Sequence, residues 1–164
     1  MIHKVFEELV NGNTELASVI ELALEENGVA PERKVEVLEV VKAFRKSDLW
    51  RRISDAEAKY TEVPFTQQLG PDHPLYTQMK GEHDLPIVLS GVIDLVFKET
   101  AGGWVIVDYK TDRVVQAEDL NTLTEFYSPQ VKMYCQVWQE LSGQECNMGE
   151  IYFVEKQQLK QVLL

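Results

Sequence analysis

The stretch Leu85–Asp112 constrains this chain more than any other, because it sets two aspartates inside two nearly continuous apolar runs. Ile87-Val88-Leu89, Val92-Ile93 and Leu95-Val96-Phe97 make up the first run, Trp104-Val105-Ile106-Val107 makes the second, and Ala101-Gly102-Gly103 separates them. Apolar runs joined across a glycine-containing turn predict an antiparallel hairpin buried on both faces. Asp94 and Asp108 interrupt that hairpin. An ionised carboxylate in such a strand must be paired, hydrogen-bonded or bound to a metal, since isolated burial costs many kcal/mol. Strand alternation puts Asp94 on the face of Val92 and Val96, and Asp108 on the face of Ile106 and Lys110. Pairing across the turn then brings both carboxylates and the Lys110 ammonium to one end of the hairpin. Two carboxylates with few donors nearby suit a hard divalent cation, and magnesium typically takes one or two carboxylates plus waters and a substrate phosphate. Lys110 can orient or deprotonate a water, or neutralise charge on a phosphate. A plainer outcome stays open: Lys110 pairs with one aspartate and the other is a solvated strand end.

The surrounding sequence supplies helices before the hairpin and after it. Val5, Phe6, Leu9 and Val10 make an apolar stripe over His3–Val10, and a second helix spans Thr14–Glu26, with Asn11-Gly12-Asn13 between them and Thr14 as its cap. Pro31 suits the first turn of a third helix, which Val35, Leu38, Val40, Val41 and Phe44 carry toward Lys46. Ser47-Asp48 opens a short fourth helix. Tyr60 to Leu69 alternates as a strand before the turn-rich Gly70–Pro74. A long helix, Leu120–Leu141, gathers Phe126, Gln130, Met133, Tyr134 and Val137, and a last strand covers Gly149–Val154. This order predicts an α/β (α+β) domain, a central mixed β-sheet flanked by helices.

Composition narrows the function classes. Hydrophobic residues at 45% and charged residues at 26% describe an ordinary globular chain of 164 residues, best read as one domain. Nothing approaches the roughly 20 apolar residues of a membrane span, and Met1-Ile2-His3-Lys4 has no secretory character, so a cytoplasmic setting is expected. Cys135 and Cys146 are too few for a four-thiolate zinc site or an iron–sulfur cluster, and they are read as packing residues. The net charge of −11 opposes DNA affinity, which rests on lysine and arginine neutralising phosphates. Lys42, Arg45, Lys46, Arg51 and Arg52 lie close together and form the one notable basic segment, the expected DNA contact. His73 and His83 fall in turn-like sequence and receive no role.

The wording around the aspartates is more specific than their chemistry. Gly91-Val92-Ile93-Asp94, followed fourteen residues later by Asp108-Tyr109-Lys110-Thr111, resembles the Asp…(Asp/Glu)-x-Lys core of the restriction-endonuclease-like PD-(D/E)xK superfamily. Within that superfamily it is similar to the C-terminal nuclease domain of the RecB/AddA helicase-nuclease family. His3 lies where that branch carries a metal-ligating histidine. Glu62-Val63-Pro64-Phe65 is similar to its Glu-x-Pro-Phe strand, and Gln130 and Tyr134 match its Gln-x-x-x-Tyr helix motif. The resemblance implies a restriction-endonuclease-like fold and a Mg²⁺-dependent (or Mn²⁺-dependent) deoxyribonuclease acting in double-strand-break repair and recombination. His3, Asp94, Asp108 and the Tyr109 carbonyl would hold the metal, with Lys110, Gln130, Tyr134 and Glu62 completing the catalytic set. It also implies single-stranded DNA as substrate, helicase domains in the same polypeptide and a partner subunit, so that residues 1–164 are one domain of a longer helicase-nuclease. No phosphate-binding Gly-x-x-x-x-Gly-Lys loop is present, so ATP hydrolysis by that route falls outside these residues. The rival reading is a catalytically silent nuclease-like module that binds DNA or protein.

Overall fold

The computed structural model describes residues 1–79, 85–113 and 117–164, so His83 lies outside the described residues. Four helices come first: α1 (Ile2–Val10), α2 (Leu16–Glu26), α3 (Lys34–Arg45) and α4 (Asp48–Asp55). They are followed by β1 (Ala58–Leu69), α5 (Pro74–Met79), β2 (Ile87–Lys98), β3 (Trp104–Lys110), α6 (Ala117–Ser142), β4 (Cys146–Phe153) and β5 (Gln158–Val162). The strands form one five-stranded sheet in the order β1-β2-β3-β4-β5. Only β3 and β4 run parallel, since α6 carries the chain back between them, and the other neighbours are antiparallel. The expected mixed sheet flanked by helices is what forms.

Apolar side chains sort onto the two faces of this sheet. Val5, Phe6, Ile20, Val41, Phe44 and Ile53 from the first four helices cover Leu95, Phe97, Val107, Tyr109 and Tyr152. Leu75, Val131, Cys135 and Val137 from α5 and α6 cover the opposite face with Val96, Ile106, Ile151 and Phe153. Both cysteines are free and buried there. β3 is buried along Trp104–Tyr109, as its unbroken apolar run predicts.

Several local expectations are corrected. The hairpin is not buried throughout, because Val88 and Val92 on the outer half of β2 are exposed where that strand pairs only with β1. Thr14 does not cap α2. The neighbouring Asn13 Oδ1 accepts the Glu15 N–H at 2.8 Å instead, and Leu16 begins the helix. Pro31 starts a 3-10 turn, Pro31–Arg33, ahead of α3, and that helix buries Val37 while leaving Val35 in solvent. Ser47 does cap α4, its hydroxyl accepting the Trp50 N–H at 3.1 Å. The sequence pattern alone missed α5 and β5, both too short for a clear periodicity.

Two glycine-dependent features prepare the site. Gly102 and Gly103, at φ +90° and +101°, make the β2–β3 turn that sets the hairpin register. Gly91 faces Phe65 across β1 and β2, and a Cβ there would come within 2.8 Å of the Phe65 ring. The glycine of Gly-Val-Ile-Asp therefore makes room for the phenylalanine of Glu-Val-Pro-Phe.

Candidate functional site

Pairing of β2 with β3 ends at Leu95↔Val107, while β3 continues beside β4 through Lys110↔Phe153. One further step of the β2–β3 register sets Asp94 opposite Asp108. Here the carboxylate replaces the ladder: the Tyr109 N–H donates to Asp94 Oδ2 at 2.7 Å. On the other side of Asp94, β1 pairs at Thr61↔Leu95 and Val63↔Ile93, and Glu62 between them has a left-handed backbone at φ +48°. A non-glycine residue rarely holds that conformation, and it costs of order 1–3 kcal/mol. It accompanies a turn of the Glu62 side chain toward the site. His3 Nδ1 from α1 lies 3.6 Å from Asp94 Oδ1, and one ligand atom each from His3, Glu62 and Asp94 falls within 4.8 Å of the others.

Asp108 and Lys110 belong to the α6 side. Lys110 Nζ sits 2.8 Å from Asp108 Oδ2, an ion pair by distance whose angle makes no directed hydrogen bond, so that this buried oxygen keeps unused lone pairs. The ammonium donates to Gln130 Oε1 at 3.0 Å, and Gln130 Nε2 donates to the Tyr134 hydroxyl at 2.8 Å. Helical spacing explains the relay, since residues four apart share a face of α6.

Charge at the site is unbalanced. Burial pushes the Asp94 carboxyl up to about 6, aided by the charges of Asp108 and Glu62 and opposed by His3 and the Tyr109 N–H. Burial also raises Asp108, against the pull of Lys110, and raises Glu62. Asp94, Asp108 and Glu62 thus lie beside Lys110 and the partly exposed His3, with Asp112 adding negative charge near Asp108, and Glu7 opposing the pull of Lys4 on Glu62. A divalent cation is the chemistry that such a donor set fits, and the buried Asp108 oxygen that receives no directed hydrogen bond is an observation in its favour.

The site also contains residues that motif spacing missed. Tyr127 lays its ring 4.3 Å from Lys110 Nζ, and its hydroxyl donates to Asp112 Oδ1 at 2.9 Å. Helical spacing admits Tyr127, three residues before Gln130, but it admits Phe126, four residues before, equally well. Phe126, taken from the sequence as the aromatic of that face, is instead 72% exposed. Glu62, grouped by motif with the catalytic residues, lies among the candidate metal ligands.

One member of the basic segment turns inward. Arg52 is committed to the protein: Nε donates to Glu99 at 2.6 Å and Nη1 to both Glu150 oxygens at 2.8 and 2.9 Å. Lys42 pairs with Glu39 and Arg51 with Asp48 on the surface. His73 has a local role, its Nδ1 accepting the Leu75 N–H at 3.1 Å and its Nε2 2.9 Å from Glu140. Among the described residues, no helix is long and apolar enough to cross a membrane.

Residues 1–162 match the PD-(D/E)XK nuclease superfamily. The chain is also similar to an ATP-dependent helicase/nuclease subunit from Acetivibrio thermocellus, with 30% identity over 155 residues, 93% of this chain and 12% of the relative. The protein of the same description from Carboxydothermus hydrogenoformans is 33% identical over 129 residues, covering 77% of this chain and 11% of the relative. That of Oceanobacillus iheyensis is 26% identical over 165 residues, covering 99% and 13%. The chain therefore spans about an eighth of the length of these relatives.

Proposed function

Because this chain belongs to the PD-(D/E)XK nuclease superfamily, we propose that residues 1–164 form the nuclease domain of an ATP-dependent helicase/nuclease, hydrolysing DNA phosphodiesters with a divalent metal, Mg²⁺ foremost. The observation that carries the reading is the pair of buried carboxylates, Asp94 and Asp108, where β2 and β3 part, with Lys110 beside them. His3, Glu62, Asp94 and Asp108, with the Tyr109 carbonyl, are the residues that would hold the cation. When bound, a divalent cation supplies Lewis-acid stabilisation of phosphate charge and a more acidic water.

The protein's own groups do the rest. Lys110 presents an ammonium toward the phosphate or the attacking water, oriented by Gln130 Oε1. Tyr134 fixes the Gln130 amide from the far side. The Tyr109 N–H holds the Asp94 carboxylate by Oδ2, leaving Oδ1 on the side of His3. The description of the relatives as a helicase/nuclease subunit supports helicase domains in the same chain and a partner subunit, and single-stranded DNA and a role in repair and recombination complete the proposal. The net charge of −11 agrees with DNA capture being delegated to neighbouring helicase domains.

Incubating the chain with labelled single-stranded DNA in Mg²⁺, with Ca²⁺ as a non-supporting control, tests the reading. Cleavage only in Mg²⁺, lost in Asp108→Asn, is the expected result. DNA or protein binding without cleavage in any divalent metal would favour the silent module.

A further inference from the structure

Among the described residues Lys110 is the one cation within ion-pair distance of Asp108, so what holds its ammonium decides whether it can act. Two of its contacts are the Asp108 carboxylate at 2.8 Å and the Gln130 amide oxygen at 3.0 Å. The first of these is shared with the proposed metal, and a carboxylate committed to a cation attracts an ammonium less. The third contact is the ring of Tyr127, 4.3 Å away.

Tyr127 is itself tethered. Its hydroxyl donates to Asp112 Oδ1 at 2.9 Å, and Asp112 lies two residues beyond Lys110 just past the end of β3. The ring is therefore tied to the same chain segment as the lysine it faces, while its backbone belongs to α6. It is half-buried, packing partly against the second core cluster and edge-on to the Phe126 ring, so the core does not enclose it.

The choice of an aromatic partner has a consequence for charge. A carboxylate in that place would neutralise the ammonium and repel a phosphate. A ring face attracts the cation through its quadrupole and carries no net charge. The ring itself takes nothing from the ammonium's attraction for an anionic phosphate, and it occupies none of its N–H donors.

We propose that Tyr127, anchored by Asp112, is a positioning residue that holds the Lys110 ammonium for the phosphoryl chemistry at Asp94 and Asp108. The inference rests on the nuclease reading given above. Gln130 orients Lys110 by a hydrogen bond, and Tyr127 confines it from a second direction without using a donor.

Two variants separate ring from hydroxyl. Tyr127→Leu removes the ring and is expected to lower kcat about 10-fold, the equivalent of a partly desolvated cation–π contact, with KM and Mg²⁺ affinity unchanged. Tyr127→Phe keeps the ring and should retain kcat within about 3-fold of the parent, because only the Asp112 tether is lost. A purely structural role would lower thermal stability in both variants without a selective effect on kcat.

A second readout needs neither DNA nor metal. The Lys110 ε-methylene protons should show an upfield ring-current shift by NMR in the parent and in Tyr127→Phe, and an ordinary shift in Tyr127→Leu. An ordinary Lys110 shift in the parent overturns the inference, even if Tyr127→Leu fails to fold. Cleavage by the parent with equal kcat in Tyr127→Leu overturns this inference alone. No cleavage by the parent overturns the nuclease reading, and the positioning role with it.

Discussion

Two acidic clusters lie on opposite faces of the same sheet, and they are buried alike: Glu150 is 4% exposed and Asp108 is 3%. Their partners differ. Glu150 receives both oxygens' hydrogen bonds from Arg52, which also bonds Glu99 and lies over the Phe97 ring. Asp108 has Lys110 within ion-pair distance but no directed bond to Oδ2, and its neighbours Asp94 and Glu62 add negative charge. Burial alone therefore does not mark a site. The hydrogen bonds received distinguish the two: Arg52 bonds Glu99 and both Glu150 oxygens, whereas Asp108 Oδ2 receives no directed bond.

That contrast makes unequal demands on single substitutions. The largest expected effect is on chemistry. Asp94→Asn and Asp108→Asn should each reduce DNA cleavage by about 10²-fold or more while circular dichroism and the urea midpoint stay near those of the parent. Cleavage at parental rates by either variant would remove the basis for treating this cluster as the site.

Lys110→Ala comes next. It should lower turnover by roughly 10²-fold and leave Mg²⁺ affinity, followed by calorimetry, within a few-fold of the parent. A matching collapse of metal affinity would mean that the lysine organises the carboxylates rather than the reacting groups.

On the opposite face the effect should be on stability. Arg52→Met strands two carboxylates and is expected to cost about 3–5 kcal/mol in urea unfolding, with cleavage preserved wherever the chain remains folded. Pairing it with Glu150→Leu should restore part of that loss. A neutral Arg52→Met would show that the ion cluster is not what holds α4 to the sheet.

Metal binding sharpens the contrast further. Mg²⁺ at ten times its dissociation constant should stabilise the chain by about 1.4 kcal/mol, or about 3–6 °C in Tm for a domain of this size. Asp108→Asn should abolish that shift and the Arg52→Met, Glu150→Leu pair should keep it. The smallest effect is expected at Arg51→Ala, a surface pair with Asp48 at 3.2 Å. A stability change within about 0.5 kcal/mol is expected there.

Much of this was legible in the sequence. The unbroken apolar runs of β2 and β3 predict strands, the turn glycines predict their register, and Asp94 and Asp108 then fall opposite one another by counting. The Ser47 cap and the helical stripe of α1 are equally local. Such features depend on neighbours a few residues away, and periodicity carries them.

Other features needed the folded chain. Nothing in the composition of Lys42–Arg52 tells Arg52, bound to Glu150 ninety-eight positions later, from its solvent-facing neighbours. The phase of α6 could not be read finely enough to choose Tyr127 over Phe126, since one residue turns the helix by 100° and both are aromatic. The left-handed backbone of Glu62, and its approach to His3 and Asp94, also depend on three elements meeting at one point. The sequence by itself determined the longer helices and strands and pointed to Asp94, Asp108 and Lys110 as candidates for chemistry, because secondary structure follows local pattern. Only the tertiary structure decided which buried carboxylates are hydrogen-bonded by a cationic side chain and which keep free acceptors, because that depends on distances between groups that the chain keeps far apart.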